Sequence, residues 1–176
     1  VLDKFYATQF PESYNPDIPQ DVVYTGSKRL TDKITIGNDE INIGKLLLSP
    51  TRTYMPLLKP LIQQHRHNIN GLIHCSGGGQ TKILHFIDNL HIVKDNLFDV
   101  PPLFELIRNQ SGTSWKEMYK VFNMGHRMEL YVPQEIAAAI IEIARSFRID
   151  AKIIGHCESS ESGKLTIKSP YGTFEY

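Results

Sequence analysis

A chain of 176 residues has room for one domain, or one domain with an extended arm. Its 41% hydrophobic content suffices for a core without disulfides, and 19 Lys+Arg against 19 Asp+Glu leave a formal net charge of zero. That balance removes any bulk electrostatic reason for DNA, RNA or an anionic membrane as partner, while leaving room for a local patch that binds a phosphorylated small molecule.

The longest unbroken apolar run, Ile136 to Ile141, falls far short of the roughly 20 residues of a membrane-spanning helix. No secretory pattern opens the chain, because Asp3 and Lys4 bring charge where an apolar core is needed. Without a starting Met, Val1 to Gln9 reads as the tail of a helix that begins upstream, in a piece of a longer protein. Phe10 to Gln20, with three prolines, reads as an extended arm. Between Asp21 and Gly44 the only signals are short β-like pieces, Val22-Val23-Tyr24 and Ile34-Thr35-Ile36, around turn residues Gly26, Gly37 and Asn38.

After Pro50 the spacing of Tyr54, Leu57, Leu58, Leu61, Ile62 and His65 predicts a helix, with Pro60 placed to kink or break it. Gly71 to Cys75 predicts a buried strand running into three glycines, with a helix following through Phe86. Leu90 to Lys94 alternates as a strand does. Pro101-Pro102 opens a further helix, and Ser114 with Glu117 forms a capping box for the next. A strand from Met128 to Val132, a helix from Pro133 to Phe147 and a strand from Ala151 to His156 follow. Leu165–Lys168 and Thr173–Tyr176 predict a closing hairpin. Interleaved helices and strands that end in a hairpin predict an α+β fold, a mixed β-sheet with helices packed on it.

The sharpest chemical signal is His74-Cys75-Ser76-Gly77-Gly78-Gly79-Gln80-Thr81-Lys82. Glycines between a strand and a helix leave backbone amides open to an anion, to which Ser76, Thr81 and Lys82 can add a hydroxyl or a charge. The spacing is not that of a P-loop, and a tight crossover where only glycine fits is the alternative. Arg127, after Asn123-Met124-Gly125-His126, can grip a phosphate or carboxylate or simply be a surface cation. Arg52 stands at a helix start, where a cation opposes the dipole, which hints at an anion ligand or an interdomain ion pair. His74-Cys75 and His156-Cys157 each end a predicted strand. They lack familiar zinc spacings, so no metal is assigned; a Cys–His nucleophile is a thin alternative, and small core side chains the simpler reading. With only these two cysteines, a disulfide framework is not expected and a reducing cytoplasm is the natural setting.

Four motifs in order resemble the C-terminal domain of the aminoimidazole ribonucleotide synthetase (phosphoribosylformylglycinamidine cyclo-ligase) family. They are Leu48-Ser49-Pro50-Thr51-Arg52-Thr53-Tyr54, Gly71-Leu72-Ile73-His74-Cys75-Ser76-Gly77-Gly78-Gly79, Pro101-Pro102-Leu103-Phe104 and Phe122-Asn123-Met124-Gly125. The resemblance runs from about Lys45 to Gly155. It implies residues 45–176 as the synthetase C-terminal domain behind an arm of 1–44, with an ATP-binding N-terminal domain as its partner. It further implies a cytoplasmic homodimeric ligase of purine biosynthesis, using ATP and magnesium held mainly by that other domain, and an isolated C-terminal domain without activity. Carried over by position, Ser76, Gly77, Gly78 and Gly79, with Thr81 and Lys82, would hold a phosphate, supported by His74, Arg52, Asn123 and Arg127. Another ATP-dependent amide-activating synthetase of the superfamily, or a non-catalytic interaction or oligomerisation domain, are the alternatives. The sequence departs from the family pattern at Gly125-His126-Arg127-Met128, where small residues are usual, and in the arm from Phe10 to Gly44.

Overall fold

The computed structural model describes residues 1–176. The chain divides into two compact units, Val1–Thr51 with Val100–Met118 and Arg52–Asp99 with Tyr119–Tyr176.

In the first unit the opening helix α1 spans Phe5–Gln9, and its start is internal to the chain. Asp3 Oδ1 accepts from the Phe5 amide at 3.1 Å, and Leu2 bridges in parallel to Lys28, so residues 1–4 are not the tail of an earlier helix. The expected extended arm contains a 3₁₀ turn at Pro11–Ser13 and is folded back on aromatic contacts. Tyr6 stacks on Phe10 with centroids 6.1 Å apart, and its hydroxyl accepts from the Leu30 amide at 2.7 Å. Val22-Val23-Tyr24 forms no strand; Gln20–Val22 is a 3₁₀ turn. Ile34–Ile36 does lie in a strand, β1 (Lys33–Ile36), paired antiparallel with β2 (Asp39–Asn42) across a Gly37-Asn38 turn in which Gly37 has φ +61°. Directly after β2, the Asn42 side chain accepts from the Lys45 amide at 2.7 Å and starts α2 (Ile43–Leu47), a helix the sequence reading did not place.

The second unit opens with α3 (Met55–His65), which runs through Pro60 instead of ending there. The amide that Pro60 lacks would have bonded the carbonyl of exposed Pro56 in the first turn, where water can serve it. Burial of Leu57, Leu58 and Leu61 outweighs that single missing bond. Strand β3 (Gly71–His74) leads to the glycines, and β4 (Leu90–Lys94) follows. Helix α4 (Pro102–Ser111) belongs to the first unit and stops at Gly112, whose φ of +68° supplies the left-handed cap. Helix α5 (Trp115–Val121) starts as the capping motif predicts, the Glu117 amide donating to Ser114 Oγ at 3.3 Å.

Strand β5 (Met128–Tyr131) pairs antiparallel with β3, Leu72 facing Leu130 and His74 facing Met128. Helix α6 (Gln134–Ser146) packs on α3 through Leu57, Leu61, Ile140 and Ala144. The next strand, β6 (Gly155–Ser159), starts four residues later than predicted. A side chain at 155 would meet the Val93 carbonyl at 1.9 Å, so pairing begins where glycine allows the close approach. The hairpin β7 (Lys164–Ser169) and β8 (Gly172–Glu175) completes a four-stranded sheet of order β6-β4-β7-β8. Its β4–β7 pair is parallel and the others antiparallel, so the sheet is mixed, as the sequence predicts.

Candidate functional site

The glycine loop leaves β3 and enters a 3₁₀ helix, Gly79–His85, not the expected α-helix. Its seven residues have poorer bond geometry and no long axis, so a helix dipole contributes little at the loop. What the loop offers is backbone. The amides of Ser76, Gly79 and Thr81 are used internally, donating to His74 O, Ser76 O and Gly78 O at 2.8, 3.1 and 2.9 Å. The Gly77 and Gly78 amides donate to no protein acceptor, and Gly77 is exposed with nothing near a would-be Cβ. Lys82 Nζ reaches across the loop to Ser76 Oγ at 2.8 Å, placing an ammonium and a hydroxyl beside those two amides. The Thr81 hydroxyl faces inward and donates to Gly78 O at 3.0 Å.

The three glycines have separate reasons. Gly78 holds φ +84°, and Gly79 holds φ +49° with a would-be Cβ 2.5 Å from the Phe122 carbonyl oxygen. Gly79 is therefore the tight-crossover glycine, while Gly77 is under neither constraint. His74 supports the loop through its carbonyl, and its exposed ring stands edge-on to Tyr54 with centroids 6.5 Å apart.

Beneath the loop lies a buried polar knot that the sequence reading missed. Lys94, at the end of β4, is 1% exposed and donates to Gln80 O at 2.8 Å, to Gln80 Oε1 at 3.0 Å and to Glu129 Oε1 at 2.6 Å. These three acceptors match the three protons of an ammonium. Tyr131 donates its hydroxyl to Glu129 Oε2 at 2.8 Å, and Gln80 Nε2 donates to Asn123 O at 2.6 Å. The knot joins β4, the glycine turn, β5 and the Asn123 turn. Burial and the Glu129 carboxylate raise the Tyr131 phenol. Lys94 and Glu129 each sit in an apolar strand, LHIVK and MELY, and that pairing of opposite charges inside strands was the available signal.

Asn123 also orders its own turn, its Oδ1 accepting from the Gly125 amide at 2.9 Å while Met124 takes φ +51°. His126 is 4% exposed and accepts from the Phe98 amide through Nε2 at 3.1 Å. Burial, aided by the Lys94 and Lys152 ammonium groups, lowers its pKa to about 3, so the ring is neutral with its proton on Nδ1. Arg127 then projects outward.

Arg52 and Arg127 are not at the glycine loop itself. With Arg148, Tyr54 and Asp150 they line an open cavity of about 220 Å³. A larger one, about 570 Å³, lies in the first unit among Lys4, Thr8, Tyr14 and Gln20 and contains none of the predicted site residues. The cavity and the loop adjoin along the β3–β5 ladder, since the Cys75 amide donates to Arg127 O at 2.9 Å.

His91 and His156 both meet Glu158, at 3.4 and 3.0 Å, but the strand-end His–Cys pairs form no metal-binding group. Cys75 is buried and Cys157 exposed, and no three His, Cys, Asp or Glu side chains are grouped to hold a metal ion. Burial first, and the Glu129 carboxylate second, push the Cys75 thiol up to about 12, the opposite of an activated nucleophile. No helix is long and apolar enough to cross a membrane.

Comparison with known proteins bears directly on this arrangement. The family described as AIR synthase related protein, C-terminal domain, matches residues 24–168. The chain is similar to the phosphoribosylformylglycinamidine cyclo-ligase of Methanopyrus kandleri, 36% identical over 126 residues, covering 69% of this chain and 35% of that protein. It is similar to the enzyme of the same name from Methanococcus vannielii, 34% identical over 127 residues, covering 70% of this chain and 36% of that protein. A third relative of that name, from Syntrophus aciditrophicus, is 31% identical over 156 residues, covering 83% of this chain and 42% of that protein. The chain thus spans between 35% and 42% of the length of these relatives. Among solved structures, the E. coli hydrogenase maturation protein HypE aligns with a TM-score of 0.47 and 19% identity, over 77% of this chain and 44% of that one. The glycine loop, the Asn123 turn and strands β3 to β6 all fall within the matched segment: the chain belongs to the AIR synthase related family, as its C-terminal domain.

Proposed function

We propose that this chain serves as the C-terminal part of an ATP-dependent cyclo-ligase that closes formylglycinamidine ribonucleotide to aminoimidazole ribonucleotide in purine biosynthesis. Residues 45–176 form the synthetase domain, residues 1–44 an arm, and a separate N-terminal domain supplies most contacts to ATP and magnesium. The working enzyme is a cytoplasmic homodimer. In the reaction the γ-phosphoryl group of ATP moves to the formyl oxygen, an internal nitrogen attacks the activated carbon, and phosphate departs with that oxygen.

The observation that carries this reading is the pair of uncommitted amides at Gly77 and Gly78, on an exposed loop anchored from below by Lys94 and Gln80. A phosphate seated there meets two backbone donors, the Ser76 hydroxyl and the Lys82 ammonium, all fixed before it arrives. Gly79 and Thr81 act by shaping the turn, through the close approach to Phe122 and the bond to Gly78 O. His74 and Asn123 hold its two ends.

The test is ADP and aminoimidazole ribonucleotide formation by a longer protein that joins this chain to its N-terminal domain. Gly78→Val is expected to lower kcat/KM by about a hundredfold or more, the scale of losing preorganised donors to a transferring phosphoryl group. The 176-residue chain alone is expected to be inactive. Ring closure by the chain alone, or an unaffected Gly78→Val enzyme, overturns the proposal.

A further inference from the structure

We propose that the cavity lined by Arg52, Arg127 and Arg148 is a second anion site, which takes the dianion of a phosphate monoester. The argument starts from charge. Three arginines line one open cavity of about 220 Å³, and none is ion-paired with a carboxylate, although Asp150 lines the same space. Each Arg is exposed, so hydration keeps the cluster tolerable, and Asp150 is the one carboxylate that lines the cavity with them. Three cations against one nearby carboxylate favour a dianion over a monoanion, and guanidinium forks match phosphate oxygens in geometry.

The second observation is backbone strain kept at Arg148. Helix α6 ends in a Schellman arrangement, with the Ile149 amide donating to Ala144 O at 3.1 Å and the Arg148 amide to Arg145 O at 2.8 Å. The residue at the turn of that motif takes the left-handed region and is ordinarily glycine. Here it is Arg148, at φ +55°. An arginine stands where glycine would be more comfortable, and it is among the residues that line the cavity.

Arg52 completes the frame. Its Nη1 donates to Arg148 O at 3.0 Å, so it caps the carbonyl end of α6, which accounts for a cation that opposed the start of α3. That bond occupies one of its five N–H donors and leaves the rest of the fork available. Arg127, exposed and next to the buried His126, is the third lining cation. The site stands apart from the glycine-loop reading and survives its failure.

The experiment uses the ¹⁵N-labelled 176-residue chain, with ribose 5-phosphate as probe at low ionic strength. The Nε–Hε resonances of Arg52, Arg127 and Arg148 are expected to shift saturably with millimolar probe. Arg127→Ala and Arg148→Gly are each expected to weaken binding about tenfold, the effect of one charge-assisted hydrogen bond. Gly78→Val is expected to leave these shifts in place, and acetate at equal concentration to produce none. Arg148→Gly keeps the carbonyl that Arg52 binds and relieves the strained φ, so lost binding in that variant is not misfolding. Equal affinity in the arginine variants, no arginine shifts, shifts confined to Ser76–Lys82, or an equal response to acetate each overturns the proposal.

Discussion

Two groups of charged residues adjoin the β3–β5 ladder, and they are built on opposite principles. The Lys94–Glu129 knot is dry and saturated: every ammonium proton has an acceptor and both carboxylate oxygens are used. The arginine cavity is open and unsaturated: three exposed arginines line it, and no carboxylate is ion-paired to any of them. Removing two ions from water costs more than their attraction returns unless the geometry is complete, so the knot serves to fix a shape. The arginines stay hydrated and carry their charge at little cost until a ligand arrives. Satisfied buried charge marks structure here, and unsatisfied exposed charge marks recognition.

The largest effect that can break this contrast is at the knot. Lys94→Met strands Glu129 in the interior and should destabilise the chain by about 3–5 kcal/mol in urea unfolding. The double variant Lys94→Met/Glu129→Leu should recover most of that loss. A Lys94→Met chain as stable as the parent would mean the pair is not dry.

Next in size is the difference between two neighbouring glycines. Gly79→Ala must accommodate both a positive φ and a Cβ against Phe122, at a cost of about 2–3 kcal/mol. Gly77→Ala, in open space with no special φ, should change stability by about 0.5 kcal/mol or less. Equal costs at the two positions would show that the whole loop is structural.

A pH experiment sharpens the contrast from another side. Folded His126 titrates near pH 3 against about 6.5 unfolded, so between those values the unfolded chain binds the extra proton and stability rises with pH. The contribution is complete above about pH 6.5, and its loss at pH 5 is about 2 kcal/mol relative to pH 7. His126→Gln keeps an acceptor for the Phe98 amide and should flatten that dependence, as equilibrium unfolding at several pH values would reveal.

The smallest effect has the opposite sign. Arg148→Gly should stabilise by about 1 kcal/mol, through relief of the left-handed backbone and of cation repulsion, and the gain should shrink with added salt. A loss of stability there would mean the Arg148 side chain holds the fold instead of awaiting a ligand.

How far the sequence could be read depended on whether position or partner decided the outcome. Helix α6 and the β7–β8 hairpin were legible because Ile136, Ile140 and Ala144, or Leu165 and Ile167, repeat at their element's own period. The glycine loop was legible as a motif, but its 3₁₀ continuation was not, because Gln80 is drawn inward by Lys94 and Asn123 from other elements. Lys94 reads as a solvated strand end, and only its meeting with Glu129, 35 residues on, reveals a core cation. Arg148 reads as a surface residue after a helix, since nothing local says that a glycine position has been filled by arginine. The fold class and family motifs were therefore within reach of pattern, whereas the pairings that distinguish knot from cavity were not.

The place of β4 in the mixed sheet has a consequence for how the chain folds. Both neighbours of this strand, β6 and β7, lie more than sixty residues further along the chain. Until residues 155–169 have emerged and closed that large loop, Ile92 and Val93 have no sheet to enter and Lys94 has an unassembled shell. During synthesis, then, the strand that anchors the glycine loop waits exposed while later elements are made, with edges open to the wrong partner. The β7–β8 hairpin is local in sequence, and it presents β7 as the edge on which β4 must pair in parallel, so the loop's foundation depends on the C-terminal side of the chain.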